Sequence, residues 1–468
     1  MGIWEITIEE KGQSVAADPN GNVYVTGVFC GTADFNPGPE KDKHTSDDLF
    51  ARFLSMFDSS GTFSWARTWG GEMPYLDDAD VAAAGNGNVY LAGSFFGTVD
   101  LDPGPGVDEQ TARPHRAFLS RYDSEGNYIW TRSWGARDAE KLAVDTGGNI
   151  YITGHFSSVI ASGRSSSIGS IDFDPGPEKD YHSGSGVFLS KFDSEGDFMW
   201  ARTWDRGKGS EVAVDEDGYV YLTGIFDGAV DFDPGPAAEN HAGISSPFLC
   251  KLDPEGNFLW VRSLRGIFMG LNTCVAVDRG SNVIVGGSFS NSLNYNLGSD
   301  SDTVVSNGKE DIFLGAFDSN GNSLWHCIWG GSGRDYCLGV AVDGSGNVYT
   351  TGYFSGKVDF DPGPSSDKHK SRGGPDVYLS KFEPSGNFLW ARTWGASEWD
   401  KGNGIAFDGG ANIYVTGEFC GPVDFDPGSG RDWHTSTGYN DTFLSKFDLD
   451  GNFIWARTWG GYNPTRGT

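Results

Sequence analysis

The sequence is poor in the residues that staple or anchor a chain. Cysteine occurs six times in 468 residues, too few for a disulfide framework at this length. Cys30 and Cys420 share a Phe-Cys-Gly context near opposite ends of the chain, and equivalent positions on neighbouring repeats lie too far apart to bond. Cys250, Cys274, Cys327 and Cys337 fall on predicted strands, as buried thiols. No run of the ~18 apolar residues that a spanning helix needs is present. Positive charge is scarce as well: 34 Lys and Arg stand against 64 Asp and Glu, a net charge of −30. A nucleic-acid backbone or an anionic membrane surface would be repelled. Cations, basic proteins and neutral sugars remain as partners. The acids recur at turns and form no single tail, which suits solubility. The start, Met1-Gly2-Ile3-Trp4-Glu5-Ile6, carries neither the basic nor the apolar region of a signal peptide. Ile6 also breaks the myristoylation pattern.

Aromatics and turn formers are abundant: 32 Phe, 17 Tyr, 16 Trp, 69 Gly and 20 Pro. They are arranged periodically. One landmark recurs as Asp18, Ala84, Asp145, Asp215, Asp278, Asp343 and Asp408, in steps of 66, 61, 70, 63, 65 and 65 residues. Each unit holds four short stretches rich in Val, Ile, Phe, Tyr, Trp and Thr. Turns of the type Asp-x-x-Gly-Asn separate the first stretch from the second and the third from the fourth, which predicts two hairpins per unit. A four-stranded sheet repeated seven times must cover its faces with its neighbours, and radial closure does this while leaving only short edges. A solenoid would need capping repeats, and none is present. The expected fold is therefore all-β: a seven-bladed β-propeller of four antiparallel strands per blade, a single domain over 1–468. The expected blades are 13–71, 72–135, 136–204, 205–264, 265–331, 332–395 and 396–461.

The fourth stretch reads Trp-Ala-Arg-Thr-Trp. Period two places Trp390, Arg392 and Trp394 on one face. We expect the Trp side chains to pack between blades, with Arg stacked on the rings and paired to an Asp. The fifth unit has Cys327 where the others have Arg. A Ser/Gly-rich insertion near 157–170 predicts a flexible surface loop. Residues 3–9 also read as a fourth strand, although the last unit already owns one at 451–460. The two would compete for one place at the closure.

These runs resemble a known family. Phe-Leu-Ser-Lys-Phe-Asp-x-x-Gly-Asn-Phe-x-Trp-Ala-Arg-Thr-Trp-Gly, followed by Val-Ala-Val-Asp-x-x-Gly-Asn-Val-Tyr-Val-Thr-Gly, is similar to the bacterial seven-bladed β-propeller repeat family, from about residue 13 to 461. The Asp-Phe-Asp-Pro-Gly-Pro element resembles a variant found in large surface and secreted proteins. The resemblance implies a propeller fold and an extracellular or cell-surface setting, hence trimming ahead of Met1. It implies no activity. A weaker likeness to the Trp-docking repeats of quinoprotein dehydrogenases rests on one hairpin and brings no cofactor-contacting residue.

One repeated loop has the composition of a site. Between the second and third strands lies Asp-x-[Asp/Asn]-Pro-Gly: Asp34/Asn36, Asp100/Asp102, Asp172/Asp174, Asp231/Asp233, Asp359/Asp361 and Asp424/Asp426. The fifth unit has decayed to Asn294/Asn296. Eight residues after the first position stands an acid in every copy: Asp42, Asp108, Asp180, Glu239, Asp302, Asp367 and Asp432. Ten residues after it stands His44, His182, His241, His369 or His434. The second and fifth copies have Gln110 and Val304 instead. Two readings stay open. Carboxylates two residues apart, Pro-Gly carbonyls and a further acid are oxygen ligands suited to Ca²⁺, with the histidine as a ligand or as an orienting partner. Alternatively, the Asp side chains cap backbone N–H groups at a turn, and acid and His cap the next strand. No organic cofactor is expected.

Catalysis finds little footing. His115, His155, His326, Trp399 and Trp433 break the repeat, but spacing reveals no nucleophile–base–orienter set among them. His326 follows Trp325 on a strand and is expected to be packed. The leading functional reading is a non-catalytic surface or secreted propeller, a scaffold, adhesion or recognition module that Ca²⁺ could stabilise. Its partner would be a protein or a glycan at the cell surface. The alternative is a lectin-like propeller with one shallow glycan site per blade, with Trp433 and the loop histidines as candidates. An enzyme of unknown reaction comes last.

Overall fold

The computed structural model describes residues 10–46, 50–70, 79–162, 165–267, 273–294 and 303–462. Seven antiparallel sheets follow one another along the chain, spanning 11–69, 80–134, 138–205, 207–263, 273–329, 336–394 and 401–462. They are the blades of a seven-bladed β-propeller. In the sixth blade the strands are Tyr336–Val342, Val348–Phe354, Asp376–Phe382 and Phe388–Trp394, paired in that order. We call these the inner, second, third and outer strands. Each inner strand abuts the inner strands of both neighbouring blades. The contact of Lys11–Ala17 with Lys401–Phe407 closes the ring.

Local sequence explains each hairpin. At the inner turn of the first blade, Asp18 Oδ1 accepts the N–H of Asn20 and of Asn22, and Gly21 takes φ +82°. An Asp that caps its own turn followed by a residue free to adopt positive φ fixes a tight connection. The same bonds recur at Asp215, Asp278 and Asp343.

The core lies between blades. Buried Tyr90, Ala92 and Leu119 of the second blade pack with Ile150, Ile152 and Phe188 of the third. The seam has the same construction: Val23, Phe53 and Phe57 of the first blade pack with Tyr414, Trp455 and Trp459 of the last. The ring centroids of Trp459 and Phe57 lie 5.0 Å apart, as do those of Trp134 and Phe192. Burying each such ring stabilises the fold by about 1.5–3 kcal/mol.

Several expectations change. The outer strand of the last blade is Phe453–Tyr462, paired to Asp441–Asp448. The competing strand expected at 3–9 lies outside the described residues. The seam gains another device: Thr32–Asp34, from the first blade, pairs with Gly460–Tyr462. The insertion expected as a flexible loop contains a hairpin, Val159–Ser162 paired with Ser165–Ile168, because its backbone N–H and C=O groups find their partners within the insertion. His326, expected to be packed, is exposed, since it lies on the outward face of an outer strand. Among the described residues, no helix is long and apolar enough to cross a membrane.

Candidate functional site

The Asp-x-Asp-Pro-Gly loops project from the end of the second strand on one face of the ring. In the sixth blade, Lys357–Asp359 and Lys368–Lys370 pair across the loop. Phe360, between the two acids, is fully buried and plugs the loop onto the blade. Alternation then turns Asp359 and Asp361 away from that core. Asp359 Oδ1 accepts the N–H of Asp367 at 2.8 Å, and Phe360 N–H donates to the Asp367 carbonyl at 2.8 Å. Asp361 Oδ1 accepts the N–H of Gly363 at 2.7 Å.

The other copies repeat this. Asp34, Asp100, Asp172, Asp231 and Asp424 each accept the N–H of the acid eight residues on: Asp42, Asp108, Asp180, Glu239 and Asp432. Asn36, Asp102, Asp174, Asp233 and Asp426 each accept a glycine N–H two residues on. In the fifth copy, Asn296 and Asp302 lie outside the described residues. Burial raises the affinity of the Asp34 carboxyl for its proton. The Lys41 ammonium and the Asp42 N–H outweigh this and hold it below the usual carboxylate range. Lys179 does the same for Asp172.

Each loop histidine bridges two strands. His369 Nδ1 lies 2.9 Å from Thr393 Oγ1 on the outer strand, and its Nε2 lies 3.2 Å from Asp367. His44, His182, His241 and His434 hold the equivalent pairs Thr68/Asp42, Thr203/Asp180, Ser263/Glu239 and Thr458/Asp432. Their rings also meet the edge or face of the plugging Phe, at 5.1–5.7 Å between centroids. Gln110 fills the slot in the second blade, donating to Asp108 at 2.7 Å and accepting from Ser133 at 3.2 Å. The structure thus brings together the first Asp, the following acid and the His in the five loops that carry all three. Among the described residues, no three His, Cys, Asp or Glu side chains converge as a group able to hold a metal ion. Trp433 and Tyr181, one residue before His434 and His182, are exposed.

The second acid of a loop faces the preceding blade. Asp102 lines a groove of about 620 Å³ with His44 and Arg67. Asp426 lines one of about 610 Å³ with His369 and Arg392. The arginines behave differently from expectation. Arg392 stacks on Trp390, 4.9 Å from the ring centroid. Its guanidinium donates to the carbonyls of Gly451 and Asp450 in the next blade's outer turn, at 3.0 and 3.1 Å. Arg67, Arg132, Arg202, Arg262 and Arg457 do the same to Gly126, Gly196, Gly256, Gly321 and Gly61. The expected Asp partner is replaced by backbone, because those turns already use their Asp side chains internally. In the fifth blade, the Cys327 thiol reaches the Gly386 carbonyl at 3.2 Å.

A further feature escaped the sequence reading. In every outer strand, pairing slips by one residue just before the first Trp. A β-bulge leaves one residue unpaired and re-aims it. The bulged residues are Ser64, Ile129, Met199, Leu259, Leu324, Leu389 and Ile454. The six apolar ones are 43–52% exposed. Only the cross-strand register reveals them, since in sequence they look like ordinary strand residues.

Comparisons with known proteins find the following similarities. A family model described as a β-propeller repeat matches residues 325–353, within the fifth and sixth blades. It is 24% identical over 504 residues to an uncharacterized WD repeat-containing protein, L264, of Acanthamoeba polyphaga mimivirus. The alignment covers 89% of the chain and 36% of that protein, so the chain spans about a third of the relative's length. Among solved structures it is similar to the RRP9 WD40 repeats, at 9% identity and TM-score 0.45, covering 86% of this chain and 87% of the other. It is also similar to the Dos1 propeller, at 9% identity and TM-score 0.42, covering 95% and 94%.

Proposed function

We propose that this propeller is a non-catalytic scaffold that recognises protein partners, in the cell-surface or extracellular setting that its repeat family implies. One observation carries the reading: the ring of bulged apolar side chains on the outer strands. A single exposed Leu is ordinary on any surface. Here the same bulge recurs in each blade, and six of the seven present Ile, Met or Leu to water. Among those six the residue identity varies while the apolar character does not. Equivalent contacts spaced around a rigid ring favour a partner that engages several blades together, where linked contacts reinforce one another.

The repeated titratable groups point the same way. The loop acids and histidines hold backbone and hydroxyl partners within their own blades, so they serve to shape the loops. The test is a triple variant, Leu259→Ser, Leu324→Ser and Leu389→Ser, compared with wild type by proximity labelling in the source cells. The variant should keep its melting temperature and lose partners that the wild type labels. Identical labelling by both proteins would remove the bulge ring as the contact surface.

A further inference from the structure

The seven copies diverge in the first half of the inner strand. Its second half is uniform: Val15-Ala16, Val81-Ala82, Leu142-Ala143, Val212-Ala213, Val275-Ala276, Val340-Ala341 and Ile405-Ala406. The two residues before it never repeat: Gln13-Ser14, Ala79-Asp80, Glu140-Lys141, Ser210-Glu211, Thr273-Cys274, Leu338-Gly339 and Asn403-Gly404. Seven copies of one backbone have no local reason to choose seven different pairs. At least one residue of every pair lines a cavity of about 340 Å³ in the mouth of the central channel, at the end of the inner strands that faces the acid–His loops. A pocket of this size is at the small end of the range used by small-molecule sites, about 300–1,000 Å³.

The wall combines two kinds of chemistry. Blades three, four and seven line it with paired charges: Lys401 lies 2.6 Å from Glu418 within the seventh blade, and the other pairs cross blade boundaries. Lys208 lies 2.8 Å from Glu140. Lys141 lies 3.3 Å from Asp80 and 3.9 Å from Glu211. The sixth blade and the link that follows it contribute aromatic surface. Tyr336 and Tyr353 stack with centroids 4.9 Å apart and ring planes 21° from parallel. Tyr353 also lines a second pocket, of about 320 Å³, together with half-exposed Trp399. The Thr273 hydroxyl is buried at the cavity wall with no hydrogen-bond partner among the described residues.

We propose that the channel mouth binds a neutral carbohydrate, with one sugar ring in the channel and a second on the shelf formed by Tyr353 and Trp399. Paired cations and anions leave little net field, which disfavours a strongly charged ligand. They still present ammonium donors beside carboxylate acceptors, and each sugar hydroxyl is both donor and acceptor. The aromatic rings offer a flat apolar surface to the C–H face of a pyranose, a large contact area on rigid side chains. The Thr273 hydroxyl gains a partner that folding alone does not supply. This site is independent of the bulge ring, which lies on the outer circumference.

The test is saturation-transfer NMR and calorimetry on the full chain. The probes are glucose, galactose, N-acetylglucosamine, maltose, cellobiose and lactose, with inorganic phosphate and free lysine as charged controls. At least one sugar should bind saturably, with a disaccharide tighter than its monosaccharide. Tyr353→Ala or Glu211→Gln should weaken that binding at least tenfold. Trp399→Ala, at a half-exposed position that a folded chain tolerates, should remove the disaccharide advantage and so covers the case where the buried variants fail to fold. Trp433→Ala and the triple bulge variant should leave sugar binding unchanged, which separates this site from the loop rim and from the protein-binding reading. No binding of any sugar, preferential binding of phosphate or lysine, or undiminished binding in the channel variants would each overturn the proposal.

Discussion

Gly451 has two reasons to be glycine. Its φ is +75°, and a Cβ there would sit 2.9 Å from the Trp390 ring of the preceding blade. Gly61, Gly126, Gly196, Gly256, Gly321 and Gly386 meet the corresponding Trp in the same way. Gly451→Ala should therefore cost more than the ~1 kcal/mol of an ordinary incompatible backbone change, read as a fall in the urea midpoint. Cys327 shows the converse. Cys327→Arg would restore the bond that the six arginines make and should add about 1–2 kcal/mol, since hydrogen bonds to charged groups exceed neutral ones. A midpoint unchanged or lowered would show that the fifth blade cannot seat the guanidinium.

The elements that join blades contain buried acids. Asp335 precedes the sixth inner strand and accepts the N–H of Gly331 and Ser355, at 2.7 and 3.0 Å. Asp400 accepts those of Ala396 and Cys420, at 2.7 and 3.0 Å. Burial, followed by the neighbouring charges of Asp311 and Glu310, pushes the Asp335 carboxyl up to about 7. Burial, with Asp376 and Glu418 nearby, takes Asp400 to about 7. Glu10 plays the same part at the seam, raised to about 8 by burial and by Asp441. A carboxyl whose folded value lies above its unfolded one binds its proton more tightly when folded. Its stabilising effect is present in acid and is lost as pH rises through about 7 to 8. Urea midpoints should fall between pH 5 and pH 8.5, and Asp335→Asn should flatten that fall. A midpoint that rises with pH would contradict the assignment. The acid–His loops carry a separate prediction. Their carboxylates already hold N–H partners, so the melting temperature should be the same in Ca²⁺ and in chelator. A ligand that binds only the folded state must raise it, and such a rise would restore the cation reading of these loops.

At the scale of the whole molecule, the ring closes with the devices used at every other junction. Trp455 rests on Gly61, Arg457 donates to the Gly61 carbonyl at 2.7 Å, and Lys446 reaches the Ser59 carbonyl at 2.7 Å. Glu10 accepts the Gly461 N–H at 2.6 Å. The seam should be no weaker than its neighbours. Trp455→Ala should destabilise by about 3–5 kcal/mol, at least as much as Trp390→Ala, in one cooperative transition. An early partial transition confined to the Trp455 variant would mark the seam as a weak point.

The number of blades, the four strands of each, the capped turns and the acid–His loops were all legible in the chain, because period, turn chemistry and strand alternation are local properties. The sequence also showed that Trp-x-Arg-x-Trp shares one face. It did not show what that face meets. Within the chain the arginines bind carbonyls 54 to 64 residues away, and at the seam Arg457 binds one 396 residues away; such partners depend on how neighbouring blades dock. The bulges likewise follow from cross-strand register, which a single strand does not encode. The channel mouth was least legible of all. Its side chains come from seven separated segments and are brought together only by closing the ring. In a protein built from repeats, local sequence sets the blade, and packing around the axis decides which of its variable residues face one another.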